Sequence, residues 1–518
     1  AQAAPVQLPV AAEGKMVAPS MHGRRAAGPL LLASAVAAAL AVRSLISFEA
    51  EGVALIAASA TEGAAPAPAP APKPKAPGSA QGVVPLTVAS ALVFWRISKN
   101  QASISGKGTA APEKPAKAPR IDAFDSMRFF LIFYIMCGHF ISFAGPSVFA
   151  FKLVTQINVV VGAFFTLSGY VAAYTTTEIA EKKAKDKVVS TAPPAFIIPR
   201  IFGYWPLHLF VMLIFSPMFI YSDLTFSGPV ITAWHTLMSL TMTSAWFPMH
   251  AEVWNAPTWF LGALTFATVI MPYALPYIAK QDKKALRRCA VWLTLFSLLP
   301  KIGYCYDNNA WGFLEGAMPP RAFPNLATFN AMRFCPVWAV LEVLLGVVGC
   351  RLVMLDGCDG EEKPKATLVD TLGPLVGMVA VIVLRATGHL ALSDMLIRPL
   401  IFMPLFVLFL MGLHRASVVG KVTDPLAKIL AAKPLTFMGG LSFPIFVVHG
   451  PLGQLFYKKI IAKAIFGGPC NVVYGTWFFY VYILVVIACA YLLQNYFMTS
   501  KKVGEWSKNM QAKVLKLC

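Results

Sequence analysis

The stretch Met127–Phe140, MRFFLIFYIMCGHF, is apolar apart from Arg128 near its start and His139 near its end. Eleven positions separate the two, which at ~100° per residue is three turns plus ~20°, so on a helix they share one face. The rise between them is ~16 Å, about half the hydrocarbon thickness of a bilayer. An arginine at the mouth of an apolar helix and a histidine near its middle raise two questions: what solvent the chain is built for, and what chemistry needs both groups.

Composition answers the first. Hydrophobic residues make up 57% of 518 and charged residues 13%, with a mean hydropathy of +0.64. A soluble chain carries about a quarter charged residues, so this one is built for lipid. Its formal charge of +20 does not point to nucleic acid. The basic residues sit in short loops between apolar runs and form no stripe beside stacking aromatics, which is the positive-inside pattern of a multipass membrane protein. Nine cysteines, mostly within apolar runs and with no CxxC pair, argue against a disulfide framework or a zinc site. There is no HExxH and no tight His/Asp cluster, so no metal is expected.

The chain divides in three. Residues 1–120 form a targeting-like, disordered Ala/Pro-rich region. It holds the basic-then-apolar run from Met21, an ASA cleavage-like signal at 58–60 and the polyproline-like linker APAPAPAPKPKAP at 65–77. An apolar run at 83–95 is short for a span and reads equally as interfacial, signal-derived or an extra helix. Residues 121–500 form the membrane domain, and 501–518 a basic tail. The fold expected is an all-α, multipass bundle of about ten transmembrane helices. They fall near 126–145, 156–174, 197–221, 257–279, 287–305, 336–355, 367–386, 393–413, 435–457 and 474–498. Ten crossings place the basic loops at 182–187, 280–288, 415–433 and the tail on one side, provided that 232–248 is re-entrant or interfacial. Lys458, Lys459 and Lys463 then fall on the opposite side.

A titratable group inside a span is a functional hypothesis by default. Arg128 also reads as a snorkelling residue, and His139 and His449 as packing histidines hydrogen-bonded to a neighbouring helix. Trp259 equally suits an aromatic belt, His208 and His235 an interface, and Ser168 with Gly169 a close helix approach. Glu342, an acid within an apolar run, needs a buried base or a cavity.

Further segments bear on these alternatives: FFTLSGY at 164–170, RIFGYWPLHL from Arg200, NAPTWFLGAL from Asn255 and LSFPIFVVHGPL at 441–452. Together with the Arg128–His139 spacing they resemble, in order and spacing, the signature segments of the membrane acyltransferase 3 family over about 125–498. The resemblance implies transfer of an acyl group from acyl-CoA to a hydroxyl of a carbohydrate, lipid or small molecule. His139 and Arg128 would be catalytic, with His139 the general base, a role its ordinary pKa of about 6.5 suits. Arg128 and Arg200 would grip the phosphates of CoA, and Ser168, Trp259, His449 and Glu342 would be substrate-binding. Acyl-CoA enters as co-substrate, with no permanently bound cofactor. The partners are a hydroxylated acceptor and membrane lipids, and no nucleic acid. The sequence departs from the family pattern where Gly203 replaces a second arginine and Leu264 stands where a glutamate is often found. The alternative is a catalytically inactive subunit acting as scaffold or transporter-like protein. The location expected is an integral membrane, and the targeting-like N-terminus is compatible with that of an organelle such as the plastid.

Overall fold

The computed structural model describes residues 119–177, 192–319, 322–356, 366–419 and 424–517. The N-terminal region up to 118, with its 83–95 run, and the loop at 182–187 lie outside the described residues. Among the described residues the secondary structure is entirely helical.

α1 (Asp122–Phe140) starts with Asp122 and Asp125 in its first turn, where carboxylates complement the helix dipole. α2 (Val148–Val154) and α3 (Ile157–Thr176) make the second apolar unit, followed by α4 (Pro193–Ile201) and α5 (Trp205–Thr241). α6 (Trp259–Ala279) and α7 (Lys283–Asn308) meet at a tight turn where Asp282 accepts from the Ala285 N–H. α8 (Leu326–Phe334) leads through Cys335 into α9 (Pro336–Met354). α10 (Leu368–Ala386) opens with a Thr367/Asp370 capping box. α11 (Asp394–Ile397) passes through a π turn, Arg398–Phe402, into α12 (Met403–His414). Pro404 lies just beyond and cannot donate to Leu400, which favours the wider turn. α13 (Pro425–Leu430) precedes α14 (Lys433–Gly440), which bends by 52° into α15 (Ser442–Tyr457). α16 (Lys459–Phe466), α17 (Cys470–Val473), α18 (Phe478–Leu492) and α19 (Lys501–Leu517) complete the chain.

Nine helices among the described residues are long and apolar enough to cross a membrane, or ten with the bent pair α14–α15. This is the multipass bundle expected. The third segment differs in detail from one helix over 197–221. It breaks at Phe202–Tyr204, because Pro206 leaves the Phe202 carbonyl without its helical donor, and α5 then runs on to Thr241. α5 is itself interrupted at Gly228, whose φ of 76° and ψ of 172° are non-helical. Beyond it the chain folds back. Trp205 Nε1 donates to the Leu240 carbonyl, and His208 Nε2 lies 2.9 Å from the Ser239 carbonyl. Met242 packs beside Gly262 on α6, and short 3-10 turns then carry the chain to the start of α6. The 232–248 stretch thus returns alongside the start of α5 rather than forming a separate apolar rod.

α3 and α9 interlock through two glycines. A Cβ at Gly169 would overlap the Val343 carbonyl, and one at Gly346 would overlap the Thr166 carbonyl. Without a hydrophobic driving force between helices in lipid, such close backbone approach supplies the packing that holds them.

From the 280–288 loop to α19 the chain makes six candidate crossings, counting the bent pair as one, so both ends of that path belong on one side. Single cysteines at Lys284 and Lys508 are therefore expected to react with an impermeant thiol reagent from the same face. Labelling from opposite faces would overturn this parity.

Candidate active site

A narrow cavity of ≈ 200 Å³ runs down the face of α1 that carries both Arg128 and His139. Ser168 from α3 and Trp259 from α6 also line it, as do Asn158, Tyr204 and Arg333. Four side chains singled out in the sequence therefore share one space. His449 stands behind His139. Arg200 and Glu342 lie elsewhere.

At the outer end, Arg128 Nη1 donates to Asp125 Oδ1 at 2.6 Å, one turn back on the same helix. Arg120 reaches the other oxygen of Asp125 at 2.5 Å. Asp125 thus holds both guanidinium groups at the mouth, and Asp122 approaches Arg120 at 3.3 Å, so two cations face two carboxylates there. Arg200 points its guanidinium over the Phe196 ring at 3.6 Å and donates to the Phe196 carbonyl at 2.9 Å. Four residues on, past the break that contains Gly203, Tyr204 reaches the cavity wall and its hydroxyl lies 2.8 Å from Thr265 Oγ1. Leu264, at the position where a glutamate is common, lines the cavity as an apolar surface.

At the inner end the hydrogen bonds fix where protons sit. His449 Nδ1 lies 3.0 Å from the Ile445 carbonyl, which can only accept, so this nitrogen carries the hydrogen. In neutral His449, Nε2 is then bare. It lies 3.1 Å from His139 Nδ1, which must donate to it. The hydrogen of neutral His139 is thereby placed on Nδ1, and its Nε2 keeps the lone pair. An imidazole on the cavity wall with a bare Nε2 can take a proton from whatever enters.

His449 is held in turn by its helix. Pro451 has no N–H and leaves the Val447 carbonyl without its helical partner; Asn255 Nδ2 fills that vacancy at 2.9 Å. The Tyr482 hydroxyl donates to the His449 carbonyl at 3.0 Å. Gln454 Nε2 reaches the Trp254 carbonyl at 2.6 Å. The segment before α6 is therefore pinned to α15 at the level of the histidine pair.

Arg333 is a further residue of the site, outside the motifs of the sequence. It lines the cavity, donates from Nε to Asn158 Oδ1 at 3.1 Å, and pairs with Glu252 at 3.0 Å and Glu315 at 2.7 Å. Burial pushes the Glu315 carboxyl upward, while the Arg333 guanidinium beside it pulls it back down. Glu342 has the buried base its position demanded: Arg398 meets it with two bonds, Nε–Oε1 at 2.6 Å and Nη2–Oε2 at 2.5 Å. Arg398 Nη1 also donates to the Asn158 carbonyl at 3.1 Å, so Glu342 supports the cavity floor from one step away. The signals for Arg333 and Asn158 were present. One is a cation beside the apolar run from 336, the other a polar residue at the start of the 156–174 span.

Ser168 Oγ donates to the Phe164 carbonyl one turn back at 2.7 Å. Trp259 packs edge-on against Phe334, with ring centroids 5.0 Å apart. Both present a side to the cavity. Among the described residues no group of three or more His, Cys, Asp or Glu could hold a metal ion.

No curated protein and no solved structure was found to match the chain. Residues 121–495, most of its length, match a family described as an acyltransferase domain. With multiple apolar helices able to cross a membrane and a match over 121–495, the chain belongs to the acyltransferase 3 family.

Proposed function

We propose that the protein transfers an acyl group from acyl-CoA to a hydroxyl acceptor, with His139 Nε2 as the general base. The observation that carries this reading is the single cavity with cationic Arg128 at one end and a bare imidazole nitrogen at the other. At ≈ 200 Å³ the cavity suits a slender pantetheine arm; sites for drug-sized ligands run to about 300–1,000 Å³. The nucleotide of CoA stays outside, its phosphates against Arg128 and Arg120. The thioester reaches His139 ~16 Å further in.

The acceptor approaches from a second cavity of ≈ 370 Å³, lined by Phe140, Asp223, Glu252, Trp254, Tyr457 and Lys458 among others. Phe140 neighbours His139, and Glu252 on its wall is the partner of Arg333 in the first cavity. His139 Nε2 takes the hydroxyl proton as the acceptor oxygen attacks the thioester carbon. The carbon–sulfur bond then breaks, and the departing thiolate receives that proton from the imidazolium. Direct transfer needs no covalent intermediate on the protein. Purified protein in nanodiscs, given a panel of acyl-CoA donors and hydroxylated acceptors, is expected to release CoA thiol and form an ester in equal amounts.

Donor grip is tested at Arg128. A charge-assisted bond is worth ~1.5–3 kcal/mol, so Arg128→Gln is expected to weaken CoA binding by roughly 10- to 150-fold. Arg120 keeps Asp125 paired in the variant, so folding should survive. Calorimetric titration that gave unchanged affinity would remove the phosphate role from this mouth. One observation favours the inactive-subunit reading: Gly203 replaces the second family arginine, and Arg200 is folded onto Phe196 rather than into the cavity. On that reading the wild type releases no thiol with any donor and acceptor.

A further inference from the structure

The last helix has a surface that acyl transfer does not use. α19 reads KKVGEWSKNMQAKVLKL, with lysines at 501, 502, 508, 513 and 516 against the single acid Glu505. At ~100° per residue, Lys502, Lys513, Trp506 and Leu517 fall within an arc of about 60°. Trp506 is 45% exposed and Leu517 is 87% exposed. The adjoining apolar positions Val503, Met510 and Val514 are half-buried, and α19 packs on α4 and on the π turn Leu493–Met498 that follows α18. The apolar stripe is thus divided: one part rests on the protein, and the other, edged by two lysines, is left facing outward.

Chain continuity says what covers that outward part. The final candidate span ends at Met498, and only Thr499 and Ser500 separate it from α19. Two residues reach at most ~7 Å, about the depth of one headgroup layer, so α19 begins at the surface where the span emerges. A tryptophan and a leucine flanked by lysines on a surface helix match acyl chains edged by negative headgroups.

We propose that α19 lies in the membrane surface and docks on anionic lipid, with Lys502 and Lys513 on the headgroups and Trp506 and Leu517 among the upper acyl chains. The occupant is the lipid surface itself, not a soluble anion.

The test is amide hydrogen exchange of the full chain in nanodiscs of phosphatidylcholine alone and of phosphatidylcholine mixed with phosphatidylglycerol. Peptides covering 501–517 are expected to exchange more slowly with the anionic lipid, by about fivefold for each surface lysine. The difference should vanish in Lys502→Gln/Lys513→Gln protein and in high salt, while peptides from α1 and α3 stay unchanged. Trp506→Ser should speed exchange of 501–517 in both lipids. Exchange that is insensitive to lipid charge, as a protein partner on this face would give, overturns the proposal. So does a lipid difference that persists in the double lysine variant. Soluble glycerol phosphate added to phosphatidylcholine discs should not reproduce the protection; if it does, the site binds phosphate and not a membrane.

Discussion

His139→Gln protein is expected to fold, to bind donor, and to turn over about 10²- to 10⁴-fold more slowly than wild type, the usual contribution of a positioned general base. Glutamine keeps a hydrogen-bonding group of similar reach but cannot accept a proton near neutral pH. Its amide nitrogen can still donate to His449 Nε2, so the contact now made at 3.1 Å has a substitute and the helices stay in register. Donor affinity should hold, because the phosphates are gripped ~16 Å away. His449 provides the complementary variant. With His449→Leu nothing fixes the hydrogen of His139 on Nδ1, and a share of the molecules carries it on Nε2, where it blocks proton uptake. That variant should be slower than wild type but faster than His139→Gln. Near-normal transfer by well-folded His139→Gln protein would end the general-base assignment.

Glu342→Ala is expected to destabilise the protein strongly. Removing one partner of a buried ion pair costs ~3–5 kcal/mol, because the other charge is left without compensation. Arg398 would keep only the Asn158 carbonyl. Replacing both, as Glu342→Leu with Arg398→Met, should recover much of the loss, since apolar pairs of similar volume often do as well as the ions they replace. Unfolding by denaturing detergent, followed by loss of helical signal, would measure both. If the double variant is no more stable than Glu342→Ala alone, the pair is not the cause. If Glu342 instead contacts substrate directly, the double variant regains stability without regaining activity.

The bundle was legible because lipid leaves few choices. Each span must be long, apolar and helical to satisfy its backbone, so nearly every apolar run became a helix close to where its pattern begins and ends. Less legible were the breaks. The interruption at Phe202–Tyr204 depends on Pro206 within an apolar run, and the fold-back after Gly228 on a glycine followed by Pro229, just past the polar positions Ser222, Asp223, Thr225 and Ser227. Within the site, Arg128 and His139 could be paired because a single helix relates them by spacing alone. Ser168 and Trp259 reach the same cavity from other helices, and no local pattern states that. Arg200 and Glu342 met the same test of charge within an apolar run. The test finds groups that need a partner, and each has one: a ring and a carbonyl for Arg200, a guanidinium for Glu342. Arg333 escaped notice because it sits in a short helix ahead of its span, where a cation looks ordinary.

The bond from Asn255 to the Val447 carbonyl has a consequence for how this sequence can change over time. The asparagine is useful there because Pro451 took away the carbonyl's own donor. With alanine at 451 the helix supplies that donor itself, and Asn255 becomes free to vary. With proline in place, loss of Asn255 strands a buried acceptor at a cost of about 1–3 kcal/mol. The two positions therefore have a preferred order of replacement, proline first and asparagine second. The reverse order passes through a weakened intermediate. A lineage that acquired the proline after the asparagine would hold both residues, not because each is needed for the chemistry, but because the later arrival made the earlier one hard to give up.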